Sequence, residues 1–219
     1  MAVTPAAVAF DLDGTLVLSE TRNRVTWAAF FARYDIEVDE ALLTHVTGRR
    51  GHDSISELLH LFRGRTIEQL AAEIWEVEAE LDLPPIEPVR GAAELVRRIA
   101  ATGTPLAVVT SAGWGYTETA LAGLGVAELF PVVVTAEDVH TGKPDPEGYL
   151  LACSRLGVDP ADALAFEDSL AGVAAVKAAG LRCIGVTTTQ TAEALSAADA
   201  VVADLTQVDW PPSGQLAAL

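Results

Sequence analysis

The sequence predicts an α/β protein: a Rossmann-like parallel sheet with helices on both faces, interrupted near its start by an inserted α-helical bundle cap. From about residue 91 onward, short apolar runs alternate with helical patterns, which is typical of a parallel sheet covered on both faces. One further apolar run lies at the start of the chain, and only helical periodicity follows it between about residues 18 and 83.

The first strand and the helical insert are defined by their apolar spacing. Ala6 to Phe10 forms a buried run that ends in the polar turn DLDGTL. The insert repeats apolar residues at i, i+3, i+4 and i+7, which predicts four amphipathic helices whose aromatic stripes serve packing. These stripes are Trp27, Phe30, Phe31 and Tyr34; Leu42, Leu43 and Val46 after Asp39; Ile55, Leu58, Leu59 and Phe62; and Ile67, Leu70, Ile74, Val77 and Leu81.

A proline-rich linker, Leu83 to Gly91, leads back into the α/β part. We therefore predict a discontinuous Rossmann-like core, 1–17 with 84–219, and a helical cap domain, 18–83. An insertion directly after the first strand is placed to act as a lid, because ligands bind outside the carboxyl ends of strands in an open parallel sheet. Predicted helices cover about 91–101, 116–124, 146–156, 170–179 and 192–197; predicted strands cover 106–109, 131–134, 163–166, 182–186 and 200–202; 208–219 is irregular.

Composition and charge exclude several classes of partner. Half of the 219 residues are hydrophobic and 21% are charged, which is typical of a globular protein. The net charge of −17 (14 basic against 31 acidic residues) disfavours binding to nucleic acid or to an anionic membrane surface. The sequence has no membrane-length apolar run, signal-peptide pattern or heptad seam. Cys153 and Cys183 fit no metal spacing and are typical of core residues in a reducing compartment. We expect a soluble, cytoplasmic monomer.

Four polar clusters lie at or near the carboxyl ends of predicted strands. Each by itself is also compatible with an ordinary turn or helix cap. Because parallel strands bring their carboxyl ends to one edge of a sheet, we expect the clusters to converge there. They are Asp11 with Asp13, Thr110 with Ser111, Lys143, and Glu167 with Asp168.

These residue types together indicate phosphoryl transfer. Several carboxylates in one cleft require a cation, and hard oxygen ligands suit Mg²⁺. Lys143 offsets the charge of an anion bound beside the metal, and the hydroxyls of Thr110 and Ser111 donate to its oxygens. A carboxylate that is able to attack completes a site for covalent transfer of a phosphoryl group.

The segments DLDGTL, VVTSAG, GKPDPEGY and FEDSLAG resemble the four ordered motifs of the haloacid dehalogenase superfamily, and specifically of its phosphatase branch. The resemblance covers essentially the whole chain. Its most specific element is the pair of aspartates separated by one residue and followed by Gly-Thr. It implies a Rossmann-like core, a helical cap typical of sugar- and polyol-phosphate phosphatases, and a small phosphorylated metabolite as the substrate.

The resemblance also implies a role for each motif residue. Asp11 would be the nucleophile that forms an aspartyl-phosphate, and Asp13 the general acid and then the general base. Mg²⁺ would be held by the Asp11 side chain, the Asp13 main-chain carbonyl and Asp168, with Glu167 in or next to that shell. The backbone amides after Asp11 would complete the phosphate cradle. Phosphoryl oxygens would be held by Thr110, Ser111 and Lys143.

Three alternatives compete with a phosphatase function. Dehalogenation is disfavoured, because a departing halide needs no proton donor whereas Asp13 supplies one. The β-phosphoglucomutases resemble this chain in all four motifs but carry a histidine twelve residues after the nucleophile, where this chain has Asn23. A non-catalytic module that binds a phosphorylated ligand is disfavoured because Asp11, Asp13 and Asp168 are all present.

Candidate specificity residues lie in the predicted cap. In the segment TGRRGHDS, Arg49 and Arg50 are placed to grip a distal phosphate or sugar hydroxyls, and His52 to hydrogen-bond a polyol. Asn23 on the first cap helix is a further candidate. The alternative, that these are solvated residues beside a helix start, stays open.

Overall fold

The structure is a computed structural model that describes residues 4–46 and 51–211. The chain divides into two compact units. We call Met1–Leu18 with Glu87–Leu219 the core unit, and Ser19–Ile86 the helical unit.

The elements follow in chain order. Among the described residues, no helix is both long and apolar enough to cross a bilayer. The order is β1 (Ala7–Phe10), β2 (Val17–Leu18), α1 (Glu20–Ala32), α2 (Glu40–Val46), α3 (Gly51–Leu58), α4 (Ile67–Glu80), β3 (Glu87–Pro88), α5 (Ala92–Ala100), β4 (Leu106–Val109), α6 (Trp114–Leu124), β5 (Val132–Val134), α7 (Glu147–Leu156), β6 (Ala163–Glu167), α8 (Leu170–Ala178), β7 (Arg182–Val186) and β8 (Ala200–Val202).

The core unit contains a six-stranded sheet in the order β5-β4-β1-β6-β7-β8, and every neighbouring pair in it is parallel. The central strand, β1, is buried along its whole length, as a strand that is covered on both faces requires. At its carboxyl end Phe10 pairs in register with Val108 of β4 and Phe166 of β6. The predicted α/β fold class is confirmed.

The helical unit packs around aromatic side chains. Phe30 and Phe31 of α1 are fully buried, and their ring centroids lie 5.3 Å and 6.1 Å from that of Phe62. Tyr34 lies beyond the end of α1, yet its ring contacts Phe30 and Phe62. The helix α4 begins at a capping box in which Thr66 and Gln69 satisfy each other's backbone N–H groups.

Two expectations about the α/β part were wrong. The helix predicted over 192–197 is a series of turns. The Leu195 N–H donates to the Thr191 carbonyl four residues earlier, as in an α-helix, but the Ala198 N–H donates to the Leu195 carbonyl only three residues earlier. The Asp199 N–H then donates to the Cys183 carbonyl at 2.9 Å, so the chain joins the sheet before a regular helix can form. The predicted linker also contains β3, which pairs antiparallel with β2. Strands of two residues are too short to show a hydrophobic period.

Both cysteines are buried and unpaired, as expected of core residues. Cys153 lies on α7 and Cys183 on β7. Burial raises the pKa of the Cys153 thiol to about 11, which keeps this thiol protonated and unreactive at neutral pH.

Candidate active site

The sheet order places three of the four polar clusters side by side. Asp11 directly follows the central strand β1; Thr110 directly follows its neighbour β4; and Glu167 ends its other neighbour, β6. All three strands are parallel, so their carboxyl ends lie at one edge of the sheet. The fourth cluster, Lys143, lies in the loop between β5 and α7 and reaches the same edge through its side chain.

Lys143 links the residues of this edge. Its ammonium lies 2.6 Å from Asp11 Oδ1 and 2.5 Å from Glu167 Oε1, and it donates to the Val109 carbonyl at 3.1 Å. The Lys143 side chain is 9% exposed. Burial opposes its charge, but the carboxylates of Asp11 and Glu167 outweigh this effect and hold the Lys143 pKa above its ordinary value. The ammonium is therefore permanently charged.

Glu167 is fully buried and both of its carboxylate oxygens accept hydrogen bonds. Oε1 accepts from Lys143 and from the Tyr149 hydroxyl at 3.0 Å. Oε2 accepts from the Asp168 N–H at 3.0 Å and from the Ser169 N–H and hydroxyl at 3.1 Å. A Cβ at Gly172 of α8 would lie 1.8 Å from Glu167 Oε1, so only glycine leaves room for this carboxylate. Glu167 is thus a rigid anchor for Lys143.

A group of three buried carboxylates could hold a metal ion. Asp11, Glu167 and Asp168 each offer one oxygen, and these oxygens lie within 4.8 Å of one another. Among the residues that the structure describes, Asp11 Oδ2 has no hydrogen-bond partner although it is buried. Burial and the neighbouring carboxylates raise the pKa of Asp11 well above its ordinary value, and that of Asp168 to about 7.

This electrostatic pattern fits a divalent cation. Three carboxylates face the single ammonium of Lys143, so the group has an excess of buried negative charge that a hard cation would neutralise. Gly14 supports the same interpretation. Its φ of +83° turns the chain after Asp13, and a Cβ there would lie 2.0 Å from Asp168 Oδ2, so glycine leaves room for the Asp168 carboxylate.

Asp13 lies two residues after Asp11 and is half-buried. The Tyr116 hydroxyl of α6 donates a hydrogen bond to Asp13 Oδ1 at 2.8 Å. The backbone around Asp13 is a tight turn, closed by hydrogen bonds from the Gly14 N–H to the Val17 carbonyl at 2.7 Å and from the Leu16 N–H to the Leu12 carbonyl at 2.8 Å. A carboxyl group is thus held at the same edge as Asp11.

Thr110 and Ser111 follow β4, and the Thr110 hydroxyl shapes the turn there. Its oxygen accepts a hydrogen bond from the Ala112 N–H at 3.0 Å, while the Thr110 N–H donates to the Val134 carbonyl. The hydroxyl hydrogen can still be donated to another acceptor. Ser111 is half-buried. That these two residues hold phosphoryl oxygens stays a prediction.

The candidate specificity residues belong to the helical unit. Asn23 donates to the Ser19 hydroxyl at 3.4 Å. His52 is exposed on α3, with its ring 3.5 Å from the Asp53 carboxylate. Arg49 and Arg50 lie outside the described residues.

Three further side chains contact the site, and the sequence patterns did not predict these contacts. Tyr116 and Tyr149 are each the third residue of a helix that follows a site loop, and they donate to Asp13 and Glu167. Thr189 donates to Asp168 Oδ2 and to the Asp168 carbonyl. Thr189 lies just after β7, so the rule that polar residues gather at carboxyl ends would have found it. Tyr149 is the last residue of the motif segment GKPDPEGY, although no role was predicted for it, and no local pattern marks Tyr116.

A parallel sheet with a buried acidic group, linked by a lysine, at its central carboxyl edge defines a Rossmann-like protein whose ligand site is expected at that edge. The family model for haloacid dehalogenase-like hydrolases matches residues 5–180. The chain belongs to this family, as its motifs predict.

Named relatives and solved structures resemble the chain over most of their length. Validoxylamine A 7'-phosphate phosphatase of Streptomyces hygroscopicus subsp. limoneus is 45% identical over 205 residues, covering 94% of this chain and 96% of the relative. Hexitol phosphatase A of Escherichia coli strain K12 is 33% identical over 203 residues, 91% of either chain. A crystal structure of CbbY from Rhodobacter sphaeroides in complex with xylulose-(1,5)bisphosphate has a TM-score of 0.80 and 28% identity, covering 93% of this chain and 96% of that one.

Proposed function

We propose that this protein is a phosphatase that hydrolyses a small phosphate monoester, of a sugar or a polyol, through an aspartyl-phosphate. One observation carries the proposal: a buried Asp11 presents an unpartnered Oδ2, among the described residues, while its Oδ1 is held by Lys143. A fixed carboxylate beside a permanent positive charge is suited to attack an anionic phosphoryl group. The two curated relatives named above are phosphatases, and their names support the same class.

The residues divide the reaction into two transfers. In the first, Asp11 Oδ2 attacks phosphorus, the phosphorus–ester oxygen bond breaks, and Asp13 gives its proton to the departing alkoxide. In the second, water attacks the phosphorus of the aspartyl-phosphate, the bond to Asp11 breaks, and Asp13 takes the proton of the water. The products are an alcohol and inorganic phosphate, and both aspartates return to their starting states.

Mg²⁺ is the metal that this set of oxygen ligands suits. The Asp11 and Asp168 side chains and the Asp13 main-chain carbonyl would hold it. Glu167 would stand next to that shell, since both of its oxygens already accept hydrogen bonds. When bound, the ion neutralises charge on the phosphoryl oxygens and on the carboxylates.

Lys143 has two functions in this proposal. Burial raises the pKa of Asp11, and the charge of Lys143 opposes this rise and so favours the ionised, nucleophilic form of that carboxyl group. Lys143 also supplies a positive charge for a phosphoryl oxygen, together with hydroxyl hydrogens from Thr110 and Ser111. Glu167 and the Val109 carbonyl fix its position, so the charge needs no reorganisation when the substrate binds.

Phosphate release distinguishes this proposal from a phosphomutase. The protein is incubated with Mg²⁺ and glucose 1-phosphate, and free phosphate is measured beside coupled formation of glucose 6-phosphate. The same release assay is run on a hexitol phosphate, a hexose 6-phosphate, glycerol phosphate and phosphoglycolate. We expect stoichiometric phosphate from at least one polyol or sugar ester, with no need for a bisphosphate activator. Efficient isomerisation with little free phosphate would favour the mutase instead.

The helical unit is proposed to select the ester. Arg49 and Arg50 are candidates for contact with the leaving group, and His52 and Asn23 for its hydroxyls. Replacing either arginine by alanine should raise KM for the preferred ester more than it lowers the rate on a small aryl phosphate. Equal effects on both substrates would assign these arginines no part in selection.

A further inference from the structure

We propose that Tyr116 is a positioning residue of the phosphatase reaction: its hydroxyl holds the Asp13 carboxyl group in the orientation needed for both proton transfers. The inference rests on the proposed function and adds a residue that none of the four sequence motifs contains. The observation that carries it is the hydrogen bond from Tyr116 to Asp13 Oδ1 at 2.8 Å, between side chains that are 103 positions apart in the sequence.

Tyr116 is fixed from its own side of this contact. It is the third residue of α6, and two hydrogen bonds hold the first turn of this helix. The Trp114 N–H donates to the Glu137 carboxylate at 3.1 Å, and the Thr117 hydroxyl donates to the Gly113 carbonyl at 2.9 Å. Tyr116 itself is half-buried. Its phenol can therefore serve as a rigid support, since a tyrosine has only two side-chain torsions to order.

Asp13 is the group that benefits from such a support. The turn around it fixes its backbone, and the hydrogen bond from Tyr116 acts on the side chain itself. A carboxyl group has two oxygens in one plane, so a hydrogen bond that holds Oδ1 also determines where Oδ2 lies. Proton transfer requires hydrogen-bond geometry to the leaving oxygen and later to water. Misplacing the carboxyl group would slow both steps.

The contact lies within one compact unit. Asp13 and Tyr116 both belong to the core unit, so this hydrogen bond is made within that unit. A carboxyl group oriented in this way is ready to activate water, which is the second acceptor in a phosphatase.

The chain provides a matched control for this contact. It has three tyrosines, and each donates its hydroxyl to a carboxylate: Tyr116 to Asp13, Tyr149 to Glu167, and Tyr34 to Glu73. Tyr34 lies in the helical unit and donates to Glu73, a half-buried glutamate that is ion-paired with Arg65 and has no role in the proposed reaction. Tyr34→Phe removes the same atom as Tyr116→Phe without touching Asp13.

The experiment is a double-mutant cycle on Tyr116 and Asp13, with Mg²⁺ present. Phosphate release is measured for the parent, Tyr116→Phe, Asp13→Asn, the double variant and Tyr34→Phe, on p-nitrophenyl phosphate and on a hexitol phosphate. We expect Tyr116→Phe to lower kcat on the hexitol ester roughly 10-fold, with KM within about twofold, since only proton transfer is impaired. In the Asp13→Asn background the same change should have no further effect, because no proton-transferring carboxyl group is left to orient. Tyr34→Phe should match the parent.

A second measurement reads the covalent enzyme directly. With p-nitrophenyl phosphate the leaving group needs little protonation, so only the attack of water depends on Asp13. Acid-quenched Tyr116→Phe should therefore show more phosphorylated Asp11 in the steady state than the parent, by intact mass. Only folded, active molecules acquire the phosphoryl group, so misfolding would lower the phosphorylated fraction and cannot imitate the expected rise.

Several outcomes would overturn the assignment. These are a Tyr116→Phe variant with the kcat of the parent, a loss that appears only in KM, and a loss of the same size in the Asp13→Asn background. In each of these cases the parent still releases phosphate, so the proposed function survives. If the parent itself releases no phosphate from any ester, the proposed function fails and this inference fails with it.

Discussion

The ion pair of Lys143 with Asp11 and the ion pair of Arg24 with Glu40 have the same separation, 2.6 Å, yet their surroundings differ. In the core unit the two side chains are 9% and 8% exposed. In the helical unit Arg24 and Glu40 are 27% and 77% exposed. Coulomb attraction at one distance is several times stronger in a buried site than beside water, but burial also removes the hydration of each charge.

The difference shows which charges the fold places for chemistry. In the helical unit, the pairs Arg24–Glu40, Arg33–Glu80 and Arg65–Glu73 each have at least one partner that is more than 40% exposed, and they lie outside the buried aromatic core. In the core unit, by contrast, three of the described carboxylates are buried beside the ammonium of Lys143. Burying these charges costs desolvation free energy, so we expect such a cluster only where a function requires it. We therefore expect the buried ion pairs of the core unit to matter for activity, and the exposed ion pairs of the helical unit to matter little.

The largest expected effect comes from removing the attacking oxygen. Asp11→Asn should lower phosphate release by roughly 10³-fold or more, because the amide is not a nucleophile and is a poor ligand for Mg²⁺. The measurement is release from p-nitrophenyl phosphate, with circular dichroism to show that the fold is kept. A variant that retains a tenth of the parent activity would show that Asp11 is not the nucleophile.

The next effect tests how tightly the buried carboxylates are packed. Gly172→Ala places a Cβ 1.8 Å from Glu167 Oε1, and Glu167 cannot move without breaking its bonds to Lys143 and Tyr149. Overpacking of this kind should lower the free energy of unfolding by about 1–3 kcal/mol and reduce turnover. The matched control is Gly123→Ala on α6, where a Cβ meets nothing within 4 Å. It should stabilise slightly, since alanine is the better helix former. Urea denaturation measures both, and equal shifts would contradict the packing argument.

A smaller effect is expected from pH. The pKa of Asp168 is raised from 3.8 to about 7, first by burial and then by the charge of Glu167. Between these two values the folded chain holds a proton that the unfolded chain has released, so the contribution of Asp168 to stability falls as pH rises through that window. A cation binds the ionised carboxylate, so Mg²⁺ should raise the melting temperature more at pH 8 than at pH 5. In Asp168→Asn, both the fall of stability with rising pH and the pH dependence of the Mg²⁺ effect should weaken. If either stayed unchanged, Asp168 would not be the group responsible for it.

The smallest effect is predicted in the helical unit. Arg24→Gln breaks the 2.6 Å pair with Glu40, but both partners are in contact with water. We expect the melting temperature and kcat to stay within the error of the measurement, because exposed pairs contribute little. Lys143→Gln, which breaks contacts of the same length in the buried site, should abolish turnover. Similar losses of kcat in Arg24→Gln and Lys143→Gln would contradict the difference that we infer between exposed and buried ion pairs.

The sequence predicted regular elements well where hydrophobic runs are bounded by breakers. The bounds of β4 and β7 were predicted without error: β4 is buried along its whole length, and β7 is buried after its half-buried first residue, Arg182. The helix predicted over 192–197 failed because its alanine-rich pattern has one buried anchor, Leu195, and a long-range bond from Asp199 bends the chain towards the sheet. Local patterns describe local structure, and they do not register contacts with distant strands.

The motif residues were found because chemistry at strand ends leaves a local mark: a polar residue directly after an apolar run. The supporting residues leave no local mark of their role. Tyr149 ends the motif segment GKPDPEGY, but only the fold shows that its hydroxyl meets Glu167 of β6, and Tyr116 resembles any helix residue until α6 meets the turn after β1. Their partners are 18 and 103 positions away in the sequence.

By itself, the sequence determined the α/β class, the helical insert, the family and the carboxylates at the strand ends, because composition, periodicity and motif spacing are properties of neighbouring residues. Only the tertiary structure decided the strand order, which sets β4 and β6 on either side of β1. It also decided that Lys143 meets Asp11 and Glu167 in a site without water screening. Burial and charge pairing depend on which distant segments pack together, and it is this packing that raises the pKa values of Asp11 and Asp168.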